Sequence, residues 1–527
     1  MKQSVIKTEG GILMRFLKSF LVFTMAMLLS SGCASARNSS TQQAITSPDA
    51  SLQETASTIT PAANEASLSF SPTPELPKTS SASPKPKNAK WIYDRKTHIL
   101  TIKGTGEMYA EQKEDWIDNE IKFDAHNGIQ LNFNERKVKE IVVKPGITVI
   151  NKGAFAAFRN IKKITLPNTV KRINDYAFYN CQSLQELTIP DKAVSVGKEC
   201  FFYCKQLRSI HIGKNLRTIG DGSFAGCKNL QNIALSSENK YFETKYGGLY
   251  HKKQKCLYFQ YQHTKTAKIA PGTKCIGTFA FTYNTLLKEV TVPDSVRRIK
   301  GGAFCYCSNL EYVHLSSHSK LHKIDDPYGE MGMYPDDLWY NGSFLHCKKL
   351  KELHLPDSLK TIDNWDTFIG CQSLTLYLSS RFTQFQKTGT QIACVSAIHV
   401  SPKNKKLSSK DGVLYDKHMK TLLNYPEYKT DQTFSVPKSV RRIRESAFRA
   451  NEHIQNVFFP KKLKQIGERV FSGCKKLTNV TIPGKHTKIG RSAFIFCRNV
   501  VIHAPKHSEA AKFARKHDRM FEAIKKR

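Results

Sequence analysis

Hydrophobic positions in this chain recur as a compound pattern. A stretch marked by Ile173, Phe178, Cys181, Leu184, Leu187, Ile189 and Pro190 returns many times, with polar residues filling the intervals. Its anchors are Phe155, Phe178, Phe201, Phe224, Phe281, Phe304, Phe344, Phe368, Phe448, Phe471 and Phe494, and six of the ten intervals between them are 23 residues. Five residues before the anchor there is usually Ile or Val, as at Ile150, Val196, Ile219, Ile299 and Ile466. Six after it comes an aliphatic, as at Leu184, Leu207, Leu230, Leu310, Leu350 and Leu477. Two more follow at nine and eleven, such as Ile210 and Ile212, or Val480 and Ile482. Alternate aliphatics ending in Pro or Gly predict a short strand and a turn in every unit. One unit buries too little apolar surface alone, so coils must stack, strand beside parallel strand, on a continuous core. At about 4.8 Å per coil, a dozen coils predict a solenoid rod of roughly 60 Å.

The consensus reads Leu-x-x-Ile-x-Leu-Pro and then Leu-x-x-Ile-Gly-x-x-Ala-Phe-x-x-Cys. It resembles the BspA-like class of bacterial surface leucine-rich repeats over about residues 137–504. The resemblance implies a leucine-rich-repeat rod of 23-residue coils with caps at both ends. In an N-terminal cap region, 89–136, Trp91 to Met108 looks like the family's opening β-hairpin. In a C-terminal cap, 505–527, a helix is predicted from Ser508 to His517, with Ser508 as its N-cap and Ala511, Phe513 and Ala514 on board. Two similar segments, Asn239 to Tyr250 and Asn404 to Tyr415, predict β-hairpin insertions near 236–275 and 401–439. A third, acidic and aromatic insertion is expected near 317–338. The resemblance also implies a binding or adhesion role at the cell surface.

Ahead of the repeats, residues 1–32 read as a lipoprotein signal peptide. An apolar run from Phe20 to Leu29 follows Arg15 and Lys18, and is short for a membrane span. Met14 opens a more typical signal than Met1 does. The run ends at Gly32-Cys33, which resembles the lipobox of bacterial lipoproteins, so Cys33 is the expected lipidation site and the membrane contact. Residues 33–88 are rich in Ser, Thr, Ala and Pro and predict a disordered tether with a reach of about 40 Å.

Charge sharpens this picture. Of 527 residues, 81 are Lys or Arg against 44 Asp or Glu, a formal +37. The leader carries +3 and the tether is neutral, so about +34 falls on residues 89–527. With 40% hydrophobic and 10% aromatic residues, wholesale disorder is excluded, and a single apolar run excludes a multi-span transporter. The cations are patterned. Just before the Ile of each unit come Lys171, Arg172, Arg217, Arg297, Arg298, Lys360, Arg441, Arg442, Lys464 and Lys488. Stacking predicts a positive ladder along one flank, suited to a polyanion: an anionic cell-envelope polymer or a charged glycan. A second row follows the cysteine at Lys205, Lys228, Lys348, Lys349, Lys475, Lys476 and Arg498. Nucleic acid is not expected as a dedicated ligand of an exported chain, and the rod is expected to be monomeric. The bland alternative is a merely solvated flank.

Eight of the fourteen cysteines stand three residues after an anchor: Cys181, Cys204, Cys227, Cys307, Cys347, Cys371, Cys474 and Cys497. A fixed repeat position predicts stacked, buried thiols that satisfy a turn, not disulfides or zinc ligands. His211, His314, His354 and His399 fall on the outward side of the strands, where other units carry Thr. The third insertion holds a candidate ligand loop: Asp325, Asp326, Tyr328, Asp336, Asp337, Trp339 and Tyr340. Its aromatics suit sugar stacking or a protein contact, and the family resemblance implies a host matrix protein, another cell or a glycan as the partner. No nucleophile elbow, phosphate loop or His-Glu-x-x-His motif appears, so neither an enzyme nor a cofactor is expected. The sequence therefore favours a lipid-anchored surface binding protein. The alternative is a structural envelope component resting on anionic wall polymers without an external ligand.

Overall fold

Each repeat contributes two strands to two parallel rows. In the main row, Glu186–Ile189, Ser209–Ile212 and Asn232–Leu235 lie side by side, pairing Leu187 with Ile210 and Ile210 with Ile233. Alternate residues Leu187 and Ile189 are buried while Glu186 and Thr188 are exposed, as a strand with one wet face requires. The second row, not foreseen from the sequence, consists of two-residue strands such as Arg172–Ile173, Ser195–Val196 and Thr218–Ile219. The Ile or Val five residues before each anchor is its inward residue.

Pairing without offset places each anchor directly on its counterpart. Phe178 and Phe201 stack with ring centroids 5.5 Å apart and planes 4° from parallel, and Phe201 and Phe224 at 5.5 Å and 10°. Further columns run through Phe281, Phe304, Phe344 and Phe368, and through Tyr425, Phe448, Phe471 and Phe494. Tyr425 takes the place of a Phe.

The residue two after the anchor is left-handed in all eleven units, among them Ala157, Tyr203, Tyr283, Gly370 and Phe496. That turn aims the next residue's side chain inward. All eight repeat cysteines donate their thiol proton to the carbonyl of the preceding coil's anchor: Cys204 to Phe178 at 3.2 Å, Cys307 to Phe281 at 3.1 Å, Cys474 to Phe448 at 2.9 Å. All are buried and free. The exceptions are instructive. Phe158, Asn284 and Asn451 hold this position in the first unit and in the first unit after each hairpin insertion, where no regular anchor precedes. Asn451 there donates to Pro426 O and Lys429 O instead.

The computed structural model describes residues 89–108, 134–324, 342–362, 364, 366–385, 394–497 and 499–524. They lie in a unit running from Ala82 to Arg527. Residues 1–88, with the expected signal peptide, Cys33 and the expected tether, lie outside the described residues. At the start of the main row, Lys90–Asp94 and Ile99–Lys103 form an antiparallel hairpin that pairs with Glu140–Val143. At the other end, Val501–Ala504 pairs with Met520–Ala523. Between them, the helix Glu509–Lys516 is capped by the Ser508 side chain, which accepts from Ala511 N at 3.2 Å.

Two expectations change. The hairpin insertions are three-stranded: Phe242–Lys245, Gly248–His251 and Cys256–Gln260 run antiparallel, and the third strand then joins the short row beside Cys275–Ile276. Leu407–Lys410, Val413–Asp416 and Thr421–Asn424 repeat the arrangement. Each begins at a buried Asn: Asn239 donates to Gly213 O and Leu216 O and accepts from Tyr241 N and Phe242 N, and Asn404 makes the equivalent four bonds. The main row is interrupted at both places. The third insertion also begins later than expected, because Lys323–Ile324 still pairs with Arg298–Ile299 as an ordinary short strand.

Candidate polyanion-facing flank

Because Ile173, Ile299 and Ile443 point into the core, the residue before each must face outward. This places Arg172, Arg298, Arg442 and Lys488 on the outer side of the short row, with Lys171, Arg217, Arg297, Lys360, Arg441 and Lys464 in the adjoining turn. The outer positions do not form the unbroken ladder expected. Arg172 pairs with Ser195 and Ser195 with Thr218, and Gln465 separates Arg442 from Lys488. Arg172 is moreover ion-paired with Glu107. Not every unit needs a cation there, since the packing asks only for a polar side chain.

The turn position one residue earlier is more continuous. Arg297 N bonds to Lys274 O at 2.8 Å and Lys274 N to Lys255 O at 2.7 Å, so Lys255, Lys274 and Arg297 stack in successive coils. Lys420, Arg441 and Lys464 form a second run, joined by bonds of 2.7 and 2.8 Å. Among the described residues none of these six makes an ion pair. Unit charges about 5 Å apart repel by about 0.8 kcal/mol even in water, a cost that an anion lying across them removes. Arg217, at the equivalent turn of another coil, lies over the Tyr241 ring at 5.6 Å, and within the second run Arg441 also donates to Lys438 O and Val440 O.

Lys255, Lys274 and Lys420 were not singled out from the sequence. Lys274 was within reach, since Ile276 stands five residues before Phe281. Lys255 and Lys420 belong to the insertions, where no Phe anchor marks the register. An open cleft of about 470 Å³ was also missed; it is lined by His98, Arg136, Lys137, Lys139, Asn160, Lys162 and Ser183, which come from four separate segments of the chain.

The row after the cysteine is mixed. Lys205 and Lys228 lie over the rings of Tyr203 and Tyr283, at 5.4 and 4.8 Å, while Lys475 pairs with Glu452 at 2.8 Å. Arg498 lies outside the described residues. Tyr283 stacks on Tyr306 at 4.9 Å, and Tyr306 on His346 at 4.8 Å. Burial, then the neighbouring Tyr203, pushes the Tyr283 hydroxyl well above its ordinary pKa.

His211, His314, His354 and His399 are exposed on the main row, as expected. His354 and His399 sandwich Tyr377, at 4.1 and 5.2 Å, and His314 lies 3.7 Å from Glu289. Among the described residues no group of three His, Cys, Asp or Glu could hold a metal ion. Asp325, Asp326, Tyr328, Asp336, Asp337, Trp339 and Tyr340 lie outside the described residues.

Stacked coils of about 23 residues, each with an inward aliphatic pattern and a short parallel strand, define a leucine-rich-repeat solenoid. The family model for the BspA type leucine rich repeat region matches residues 130–246, 254–327, 340–414 and 427–508. The chain belongs to the BspA-type leucine-rich-repeat family. It is similar to a leucine-rich repeat protein from Eubacterium ventriosum, with 21% identity over 76% of this chain and 90% of that one and a TM-score of 0.41. A leucine-rich repeat protein from Bacteroides ovatus shares 18% over 83% and 99%, with a TM-score of 0.40. A leucine rich cell surface protein from Faecalibacterium prausnitzii shares 17% over 84% and 96%, with a TM-score of 0.30. The chain matches no curated protein sequence.

Proposed function

We propose that this chain is a lipid-anchored surface protein that binds polyanions along the short-row flank of its solenoid. The observation that carries this reading is the pair of cationic runs, Lys255–Lys274–Arg297 and Lys420–Arg441–Lys464, stacked coil on coil without carboxylate partners among the described residues. A linear anion crossing several coils meets one charge per coil, so weak contacts add. Release of condensed counterions makes such binding salt-dependent. A teichoic acid, a sulfated glycan or the acidic surface of a host matrix protein has the required chemistry. The lipid at Cys33 and the tether hold this surface away from the membrane, and no catalysis is assigned to it.

The test is retention of the chain on immobilised heparin and on teichoic acid as salt is raised. Reversing Lys274, Arg297, Arg441 and Lys464 to Glu is expected to abolish retention at physiological salt. Unchanged retention in that variant sinks the reading and leaves a solvated flank. Replacing Cys33 with Ala should stop incorporation of labelled fatty acid.

A further inference from the structure

Five cysteines of the folded part stand outside the repeat position, and two of them meet. Cys256 opens the third strand of the first insertion, Cys275 opens the next short strand, and the two are register partners in parallel strands. Leu257 and Ile276 fill the core, so both thiols face outward, Cys256 covered and Cys275 partly open. They sit inside the cationic row. Arg298 is the next register partner of Cys275, Lys255 and Lys274 precede the two cysteines, and Lys300 is held nearby by Asp221 at 3.1 Å.

This environment separates the pair from the other thiols. Where a shift is resolved, burial pushes the remaining cysteines up, as at Cys200, Cys307 and Cys474. Cys275 goes the other way: hydrogen bonding from Cys256 lowers it first, and the charges of Lys300 and Arg298 assist against burial and Asp221. Cys256, bonded to Cys275 and desolvated, is correspondingly raised. A partly open thiol of lowered pKa beside a covered thiol is the arrangement of an attacking and a resolving cysteine.

We propose that Cys275 and Cys256 form a reversible dithiol–disulfide site that reacts with low-molecular-weight disulfides. The Cys275 thiolate attacks one sulfur of the disulfide, its S–S bond breaks, and one thiolate leaves. Cys256 gives its proton to that thiolate or to water and attacks the Cys275 sulfur, expelling the second thiolate. Two protein thiols are oxidised and one small disulfide is reduced to two thiols. Neighbouring parallel strands lie about 4.8 Å apart, within reach of a disulfide in Cα separation. Their side chains run side by side and do not converge, so the bond carries strain and is readily reduced again.

The test uses the full chain carrying Cys33→Ser, folded, with an aromatic disulfide reagent and peptide mapping. A fast release of two thiolates per chain is expected, about tenfold faster than from any other cysteine, leaving Cys256 joined to Cys275. Cys256→Ser should release one thiolate and hold Cys275 as the mixed disulfide. Cys275→Ser should lose the fast phase while Cys204 and Cys307 stay unlabelled, which shows that the fold is intact. The proposal is overturned if the peptide map of the otherwise unaltered chain lacks the Cys256–Cys275 link, or if the fast phase survives in Cys275→Ser.

Discussion

Phe201 is the middle ring of the first aromatic column, fully buried between Phe178 and Phe224 at 5.5 Å on either side. Replacing it with Ala removes a whole ring from a close-packed core, at about 3–5 kcal/mol. Replacing it with Leu keeps most of the apolar burial but forfeits two stacked contacts. Each is worth about 0.5–1.5 kcal/mol, which gives about 1–3 kcal/mol in total. A double-mutant cycle of Phe201→Leu with Phe224→Leu should return a coupling of about 0.5–1.5 kcal/mol. Urea unfolding reads the magnitudes and native-state hydrogen exchange reads their reach. Since Phe201 belongs to a core cluster running from Leu100 to Tyr261, protection should fall there and persist in the cluster from Val413 to Ala514. A Phe201→Leu cost near zero, or an even loss of protection along the chain, would refute the idea that stacking between coils carries the stability.

Other substitutions follow from the same geometry. Cys204→Ala removes the donor to Phe178 O and leaves a small void, so unfolding should show a loss of about 1–2 kcal/mol, matched by Cys307→Ala. Asn239→Ala strips partners from two carbonyls and two amides. About 2–4 kcal/mol should be lost, with hydrogen exchange rising first in Phe242–His251. Gly370→Ala puts a Cβ 2.3 Å from His346 Nδ1 at a φ of +76°. A drop of about 1–3 kcal/mol is expected, partly recovered by His346→Ala.

Much of this fold was legible because the repeat writes each structural requirement many times over. The anchors, the inward aliphatics and the turn thiols each needed only a fixed spacing, and the C-terminal helix announced itself through its Ser cap. Two kinds of feature escaped. The left-handed turn residue varies freely, from Ala157 to Tyr203 to Phe496, because backbone geometry is imposed there by hydrogen bonds between coils and not by residue type. The continuous cationic runs escaped because Lys255 and Lys420 enter from insertions that lack a Phe anchor. A ladder is a property of stacking order, and only the pairing of strands reveals which coil follows which. The third insertion starts later than near 317 for the same reason: Lys323–Ile324 is an ordinary short strand, but no Phe follows Ile324 at five residues to mark it.

The insertions have a mechanical consequence. Where they interrupt the main row, the inner core of the described residues divides into three clusters that meet at Tyr250–Tyr261 and at Val413–Leu414, and a fourth cluster, from Ala156 to Leu345, bridges the first of these junctions. Pulled from its ends, such a chain does not give way as one body. Each segment resists until its own strands shear, then pays out its contour length at about 3.5 Å per residue while its neighbours hold. Force–extension traces should show staggered ruptures, with the junction at Val413–Leu414 parting before the one bridged by Phe202 and Phe279. The two buried asparagines, Asn239 and Asn404, mark the joints at which extension halts.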